Sequence, residues 1–201
     1  MALRPPPAAF HTLTLVTKSV AIDDLYRISG HSSGEPYFGK AGSYRFDDHK
    51  RTKAKRFGTC YCGFNLETAV AETLLHDELP ERGKFRLSQA YFNSRNLVRF
   101  RGRHLTLADL TGVPLKVLGG DSAISTMTPY RLPQLWSMAV HARPQNLDGI
   151  YFVSRQLNDR RAVVVFDRAK ASFVGSTFMP LPAAPGIAGV IAALKMTFPF
   201  P

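Results

Sequence analysis

Five apolar residues in a row, Ala162-Val-Val-Val-Phe166, stand between the polar stretch Arg155 to Arg161 and Asp167. A run this short and β-branched at its centre reads as a strand, and its lack of alternation reads as a buried one. Burial obliges the rest of the chain to cover it. Ile150-Tyr-Phe-Val153 reads as a strand ending at Ser154, and it follows the turn signal Asp148-Gly149.

The other elements are short and mixed. Thr12-Leu-Thr-Leu-Val16, Leu25-Tyr-Arg-Ile28 and Thr59 to Phe64 read as strands, and residues 85–100 are strand-like around Tyr91-Phe92 and Leu97-Val-Arg-Phe100. Residues 29–43 hold Gly30, Gly34, Gly39 and Gly42 and read as a long loop. The clearest helix opens at Asn65, a good N-cap, and ends near Asp77 before Pro80. Leu66, Ala69, Val70, Thr73 and Leu74 form its apolar stripe. Glu72 falls roughly 200° from Val70 and Leu74 at about 100° per residue, so it faces away from that stripe. Leu132, Leu135, Trp136, Ala139 and Val140 place a second helix over 129–142. A short helix and a strand are expected over 104–118, and a short helix over 187–195 in a small, apolar tail. Residues 1–20, with Pro5, Pro6 and Pro7, read as an N-terminal arm. No repeat or linker divides the chain, so one α+β domain over 1–201 is the economical reading.

With 201 residues, 45% hydrophobic and 20% charged, the chain can bury a core without staples. No apolar run nears the roughly 18 residues of a membrane span. Met1 to Phe10 lacks the apolar stretch of a secretory signal. Cys60 and Cys62 would share one strand face. A disulfide across one residue would be strained. With His76 or His49 the pair still falls short of a marked four-ligand zinc site. Two reduced thiols in a cytoplasmic protein, with no metal and no membrane contact, are the expectation.

Lys and Arg total 26 against 15 Asp and Glu, a net charge of +11. That excess favours polyanions, a phosphate-bearing small molecule or an acidic protein partner. The densest charge is the run Lys50, Arg51, Lys53, Lys55 and Arg56, with Phe46, Phe57 and Tyr61 near it, a mixture that suits single-stranded nucleic acid. Asp47 and Asp48 interrupt the run, and no helix-turn-helix, RNA-recognition or OB pattern accompanies it. It reads as a solvated loop or a partner-binding face, and direct nucleic-acid contact is not expected. Phosphate-loop, dinucleotide-binding, serine-hydrolase and metalloprotease motifs are all missing.

Four pieces stand in a recognisable order: Leu25-Tyr-Arg-Ile28, the turn Gly42-Ser-Tyr-Arg-Phe46, Tyr61 leading into Thr68-Ala-Val-Ala-Glu72, and Asp148-Gly-Ile-Tyr-Phe-Val-Ser154. In this order the chain resembles the RES-domain family, commonly the toxins of RES–Xre toxin–antitoxin pairs, best over residues 22–168 and weakly over 169–201. The resemblance implies an ADP-ribosyltransferase-like fold with a split, mostly antiparallel β-sheet core flanked by helices. It implies NAD as substrate, consumed by hydrolysis or phosphorolysis or used to modify a protein, and an Xre-type antitoxin as partner. Arg27, Arg45, Tyr61, Glu72 and Ser154 match the family's functional positions. About six extra residues, rich in Lys and Arg, separate Arg45 from Tyr61, so Arg51 and Arg56 stand as alternatives to Arg45.

The chemistry fits those residue types. Breaking the nicotinamide–ribose bond creates an oxocarbenium-like cation, which a carboxylate such as Glu72 stabilises. Arginine forks suit a diphosphate, the role given to Arg27 and Arg45. Tyr61 offers a flat wall for the nicotinamide ring. Ser154 is placed to hydrogen-bond Glu72 or the ribose. His76, one turn after Glu72, reads as a capping or surface histidine. Three readings result: an NAD-cleaving toxin, a protein ADP-ribosyltransferase, and a basic module for nucleic acid or an acidic partner. The acceptor stays open between water, phosphate and a protein side chain.

Overall fold

The computed structural model describes residues 3–199. In chain order the elements are β1 (Thr17–Ala21), β2 (Tyr26–Ser29), β3 (Thr59–Gly63), α1 (Leu66–Leu74), β4 (Phe85–Arg86), α2 (Gln89–Asn93), β5 (Asn96–Gly102), β6 (His104–Asp109), α3 (Gly112–Val117), α4 (Ala123–Thr126), α5 (Arg131–His141), β7 (Gly149–Val153), β8 (Arg161–Phe166), β9 (Phe173–Pro180), α6 (Ile187–Ala193) and β10 (Met196–Thr197). Eight strands form one sheet in the order β1-β6-β7-β8-β3-β2-β5-β9, and β4 pairs with β10 in a separate ribbon. Within the large sheet β6 and β7 run parallel and every other neighbour pair is antiparallel. This is the α+β class read from the sequence, with the mostly antiparallel sheet that the resemblance implied.

The apolar run lies at the centre. β8 pairs over five positions with β7 on one side and with β3 on the other. Val163 and Val165 enter one core cluster, while Ala162, Val164 and Phe166 enter another. That two-sided burial is why the run shows no alternation. β3 follows the same rule: Cys60 and Cys62 are free thiols buried on one face, and Tyr61 packs on the other.

The sheet is split between β3 and β2. A single residue pair, Tyr26 with Gly63, joins them, whereas β2 and β5 pair over four positions. Past that pair the gap is spanned by a side chain: Arg27 Nη1 donates to the Tyr61 carbonyl at 3.0 Å.

Several expectations change. Thr12–Val16 is not a strand, and the ladder begins at Thr17, opposite Ala108. The carbonyls of Phe10 and Leu13 are taken by the Arg143 guanidinium and are lost to a ladder. The N-terminal segment is no free arm. Leu3 and Phe10 are buried with Trp136, whose indole N–H donates to the Arg4 carbonyl at 2.8 Å. Tyr91 and Phe92 sit in α2, capped by Ser88, rather than in a strand. β9 gave no sequence signal. It is an edge strand with a largely exposed pattern, so it needs no apolar alternation. In α1, Thr73 is only half-buried while Thr68 and Ala71 join the core. Among the described residues no helix is long and apolar enough to cross a membrane.

The charge-dense loop is tied to α5 at its far end. The Phe57 ring stacks on His141, with centroids 4.0 Å apart and planes 10° from parallel. Arg168 donates to His141 Nε2 at 2.6 Å, so that nitrogen is an acceptor and the ring is neutral. Burial, reinforced by the Arg168 charge, lowers the His141 pKa from 6.5 to about 4. A depressed histidine pKa stabilises the fold at pH above the unfolded value, and that stability drains as pH falls toward the folded value. Thermal unfolding should therefore show stability lost between pH 6.5 and about 4 in the wild type. A His141→Gln variant should show a shallower slope across the same window.

Candidate functional site

The split in the sheet opens into a cavity of about 540 Å³. Four of the sequence-derived residues line it: Arg27, Arg45, Tyr61 and Glu72. Each is positioned by a different part of the chain.

Arg27 projects from β2. Its Nε donates to Glu35 Oε2 at 2.9 Å and its Nη1 to the Tyr61 carbonyl. Burial works against its charge, yet Cys60 and Glu35 outweigh that and hold its pKa above the ordinary value. Glu35 Oε2 also accepts from the Tyr37 N–H at 2.7 Å, which orders the loop beyond β2.

Arg45 sits on a turn built around a buried carboxylate. Asp47 Oδ2 accepts from the N–H groups of Gly42 and Tyr44, both at 3.1 Å. Its Oδ1 accepts from the Thr59 hydroxyl at 2.6 Å and the Tyr61 hydroxyl at 3.1 Å. Asp48 Oδ2, also buried, binds the Phe57 N–H and the Lys50 ammonium. From α5, Gln134 Nε2 donates to the carbonyls of Gly42 and Tyr44, and Ser137 Oγ donates to the Phe46 carbonyl. Arg45 itself donates to the Met127 carbonyl at 2.8 Å and lies over the Tyr130 ring, 4.5 Å from its centroid. Burial lowers its pKa, and the charge of Arg155 adds to the effect.

Tyr61 is fixed at its hydroxyl, which donates to Asp47 and accepts from the Phe46 N–H at 2.9 Å. Burial, then the Asp47 charge, raise its pKa well above the ordinary value, so it stays a neutral donor.

Glu72 rides on α1, half-buried between the buried Ala71 and Leu75, on the cavity side of the helix. Its Oε1 accepts from the Ser154 hydroxyl at 2.5 Å and the Gln156 N–H at 3.3 Å. Ser154 Oγ in turn accepts from the Leu157 N–H at 3.0 Å. Oε2 makes no hydrogen bond among the described residues. Ser154 is 1% exposed and does not line the cavity. It touches the carboxylate from behind.

Arg51 and Arg56 do not line the cavity. Arg56 instead donates to the carbonyls of Lys40, Ala41 and Lys50, closing the loop on itself. His76 is half-buried. It lines the cavity with Nε2 3.5 Å from the Tyr130 hydroxyl, which also accepts from Arg155 Nη1 at 3.0 Å. Glu35, Asp47, Tyr130 and Arg155 carried no signal as site residues. Asp47 was visible only as an acid out of place beside a basic run.

Residues 24–181 match the sequence model of the RES domain, more than half of the chain. The chain belongs to the RES-domain family. The matched span of this RES domain includes Arg27, Arg45, Tyr61, Glu72 and Ser154, and it reaches past residue 168 to take in β9. No curated protein matches the chain significantly in sequence. Among solved structures, a chain in the crystal structure of the M. tuberculosis MbcT–MbcA toxin–antitoxin complex is similar, with a TM-score of 0.57 at 12% identity over 90% of each chain. The RES domain thus shares the α+β fold of that chain.

Asp47→Ala would leave two N–H groups and two hydroxyls of this RES domain without their acceptor. Urea unfolding should show a loss on the order of 3 kcal/mol. The Tyr61 phenol, freed of the neighbouring carboxylate charge, should titrate at lower pH by ultraviolet absorbance.

Proposed function

We propose that this RES domain is an NAD-consuming toxin that cleaves the nicotinamide–ribose bond and is neutralised by a cognate antitoxin. The Glu72 carboxylate carries the reading. One oxygen is held by Ser154 and the Gln156 N–H, and the other has no partner among the described residues, in a cavity whose walls also carry Arg27, Arg45 and Arg155.

As the C–N bond breaks, its electron pair passes to the pyridinium nitrogen, and neutral nicotinamide leaves. Positive charge builds on the ribose at the reacting carbon and ring oxygen. Glu72 Oε2 is the negative group for that charge, already oriented so that little reorganisation is needed. Water or phosphate then adds to the carbon. When water attacks, its proton passes through Glu72 to solvent. Ser154 is a positioning residue for Glu72. Tyr61, locked at its hydroxyl, offers its ring as a wall, and Arg27 and Arg45 face the anionic part of the substrate. The reading places the protein in the cytoplasm with an Xre-type antitoxin. The similar chain in a toxin–antitoxin complex supports that partner class.

A second reading, transfer of ADP-ribose to a protein, is favoured by the rim. Tyr37 and Tyr44 line the cavity yet are 61% and 53% exposed, an aromatic edge suited to a protein surface. The basic-module reading rests on the exposed residues Lys50 to Lys55, which lie outside the cavity.

Purified wild-type protein is expected to consume NAD, with phosphate dependence reporting the acceptor. Glu72→Ala should lose roughly 10²–10³-fold in rate. Ser154→Ala should lose about 10- to 100-fold, because Glu72 remains but is less well held. Labelled NAD marking a protein band would select the second reading. Intact NAD with and without phosphate, and no labelled protein, would overturn both. Tight, steeply salt-dependent nucleic-acid binding that Glu72→Ala leaves unchanged would then favour the basic module.

A further inference from the structure

Arg27 is already neutralised: Glu35 accepts from its Nε, and the Tyr61 carbonyl accepts from Nη1. Another arginine of the same cavity has the opposite surroundings. Arg95 immediately precedes β5, and its guanidinium lies over the Tyr91 ring, 4.1 Å from the centroid. Its Nη1 fills the space where a Cβ on Gly30 would stand, so glycine at this position lets one end of the guanidinium approach the backbone.

The backbone around it is ordered. The Arg95 N–H donates to the Phe92 carbonyl at 3.2 Å, and its carbonyl accepts from the Leu181 N–H at 2.8 Å. Ser29 Oγ accepts from the His31 N–H at 3.1 Å, and Asn96 Nδ2 donates to the His31 carbonyl at 3.3 Å, which fixes the turn beneath. No carboxylate among the described residues forms an ion pair with Arg95. Gly30 lies three residues beyond Arg27, about 10 Å along the strand direction. One extended dinucleotide spans that distance.

We propose that Arg95, placed between the Tyr91 ring and Gly30, is an oxyanion clamp for the diphosphate of a nucleotide ligand. A planar guanidinium with no carboxylate partner suits bidentate contact with phosphate oxygens. The assignment rests on the reading of the cavity as an NAD site, and it moves the principal diphosphate contact from Arg27 to Arg95.

ADP, which carries the diphosphate without the scissile bond, tests it by calorimetry on the full chain. Arg95→Gln should weaken ADP binding at least tenfold. Arg95→Lys, which keeps the charge but loses the stacked plane, should fall between, and it carries the test if Arg95→Gln fails to fold. In turnover, Arg95→Gln should raise the KM for NAD with kcat held. No ADP binding by wild type, or equal ADP affinity in wild type and variant, overturns the assignment. An Arg95-dependent ADP site in a protein that leaves NAD intact keeps this inference and removes the enzymatic reading, so the two failures are separable.

Discussion

The Arg27 guanidinium holds the two halves of the sheet at the place where the backbone stops doing so. β3 and β2 share one residue pair, and from there the strands part. Without a bridge, the Tyr61 carbonyl would face the gap unpaired, which is costly once water is excluded. Arg27 supplies the donor. A buried cation is itself expensive, and Glu35 offsets that with a charge-assisted hydrogen bond at 2.9 Å. The cavity is the consequence. It exists because the sheet is latched by side chains rather than zipped by a ladder.

A second device sets the opposite wall. Asp47 and Asp48, 2% and 1% exposed, turn the backbone of the most basic stretch of the chain inward. Their carboxylates accept from backbone N–H groups, from two hydroxyls and from Lys50, so the acids are satisfied and the loop is ordered. The polar residues Gln134 and Ser137 of α5 complete the turn from behind. Arg45 is thereby delivered to the cavity, while residues 50–55 stay in solvent. The basic stretch is therefore divided between one cation at the site and a solvated loop.

Much of the fold was legible because its signals are local. An unalternating Val-rich run must be central, an Asn before an apolar stripe caps a helix, and Glu72 off that stripe leaves the core. The departures come from partners distant in sequence, from the local Ser88 cap and from the weak pattern of an edge strand. Residues 12–16 look like a strand, yet Arg143 takes their neighbourhood's carbonyls. Tyr91-Phe92 look extended, yet Ser88 caps them into a helix. β9 is an edge strand and carries little pattern. His76 could be named but not placed, and Ser154 stood open between Glu72 and the ribose, because their partners Tyr130 and Glu72 are 54 and 82 residues away.

By itself the sequence determined the helices α1 and α5, the buried central strand, the family order of Arg27, Arg45, Tyr61, Glu72 and Ser154, and the side of α1 that carries the glutamate. Those follow from periodicity, capping and motif order, which act over a few residues. Only the tertiary structure decided that Ser154 stands behind Glu72, that Arg27 is paired with Glu35 and bridges the split, and that Arg45 rather than Arg51 or Arg56 reaches the cavity. Each of those depends on which buried donor meets which acceptor across the fold, and burial makes that pairing obligatory without any local pattern announcing it.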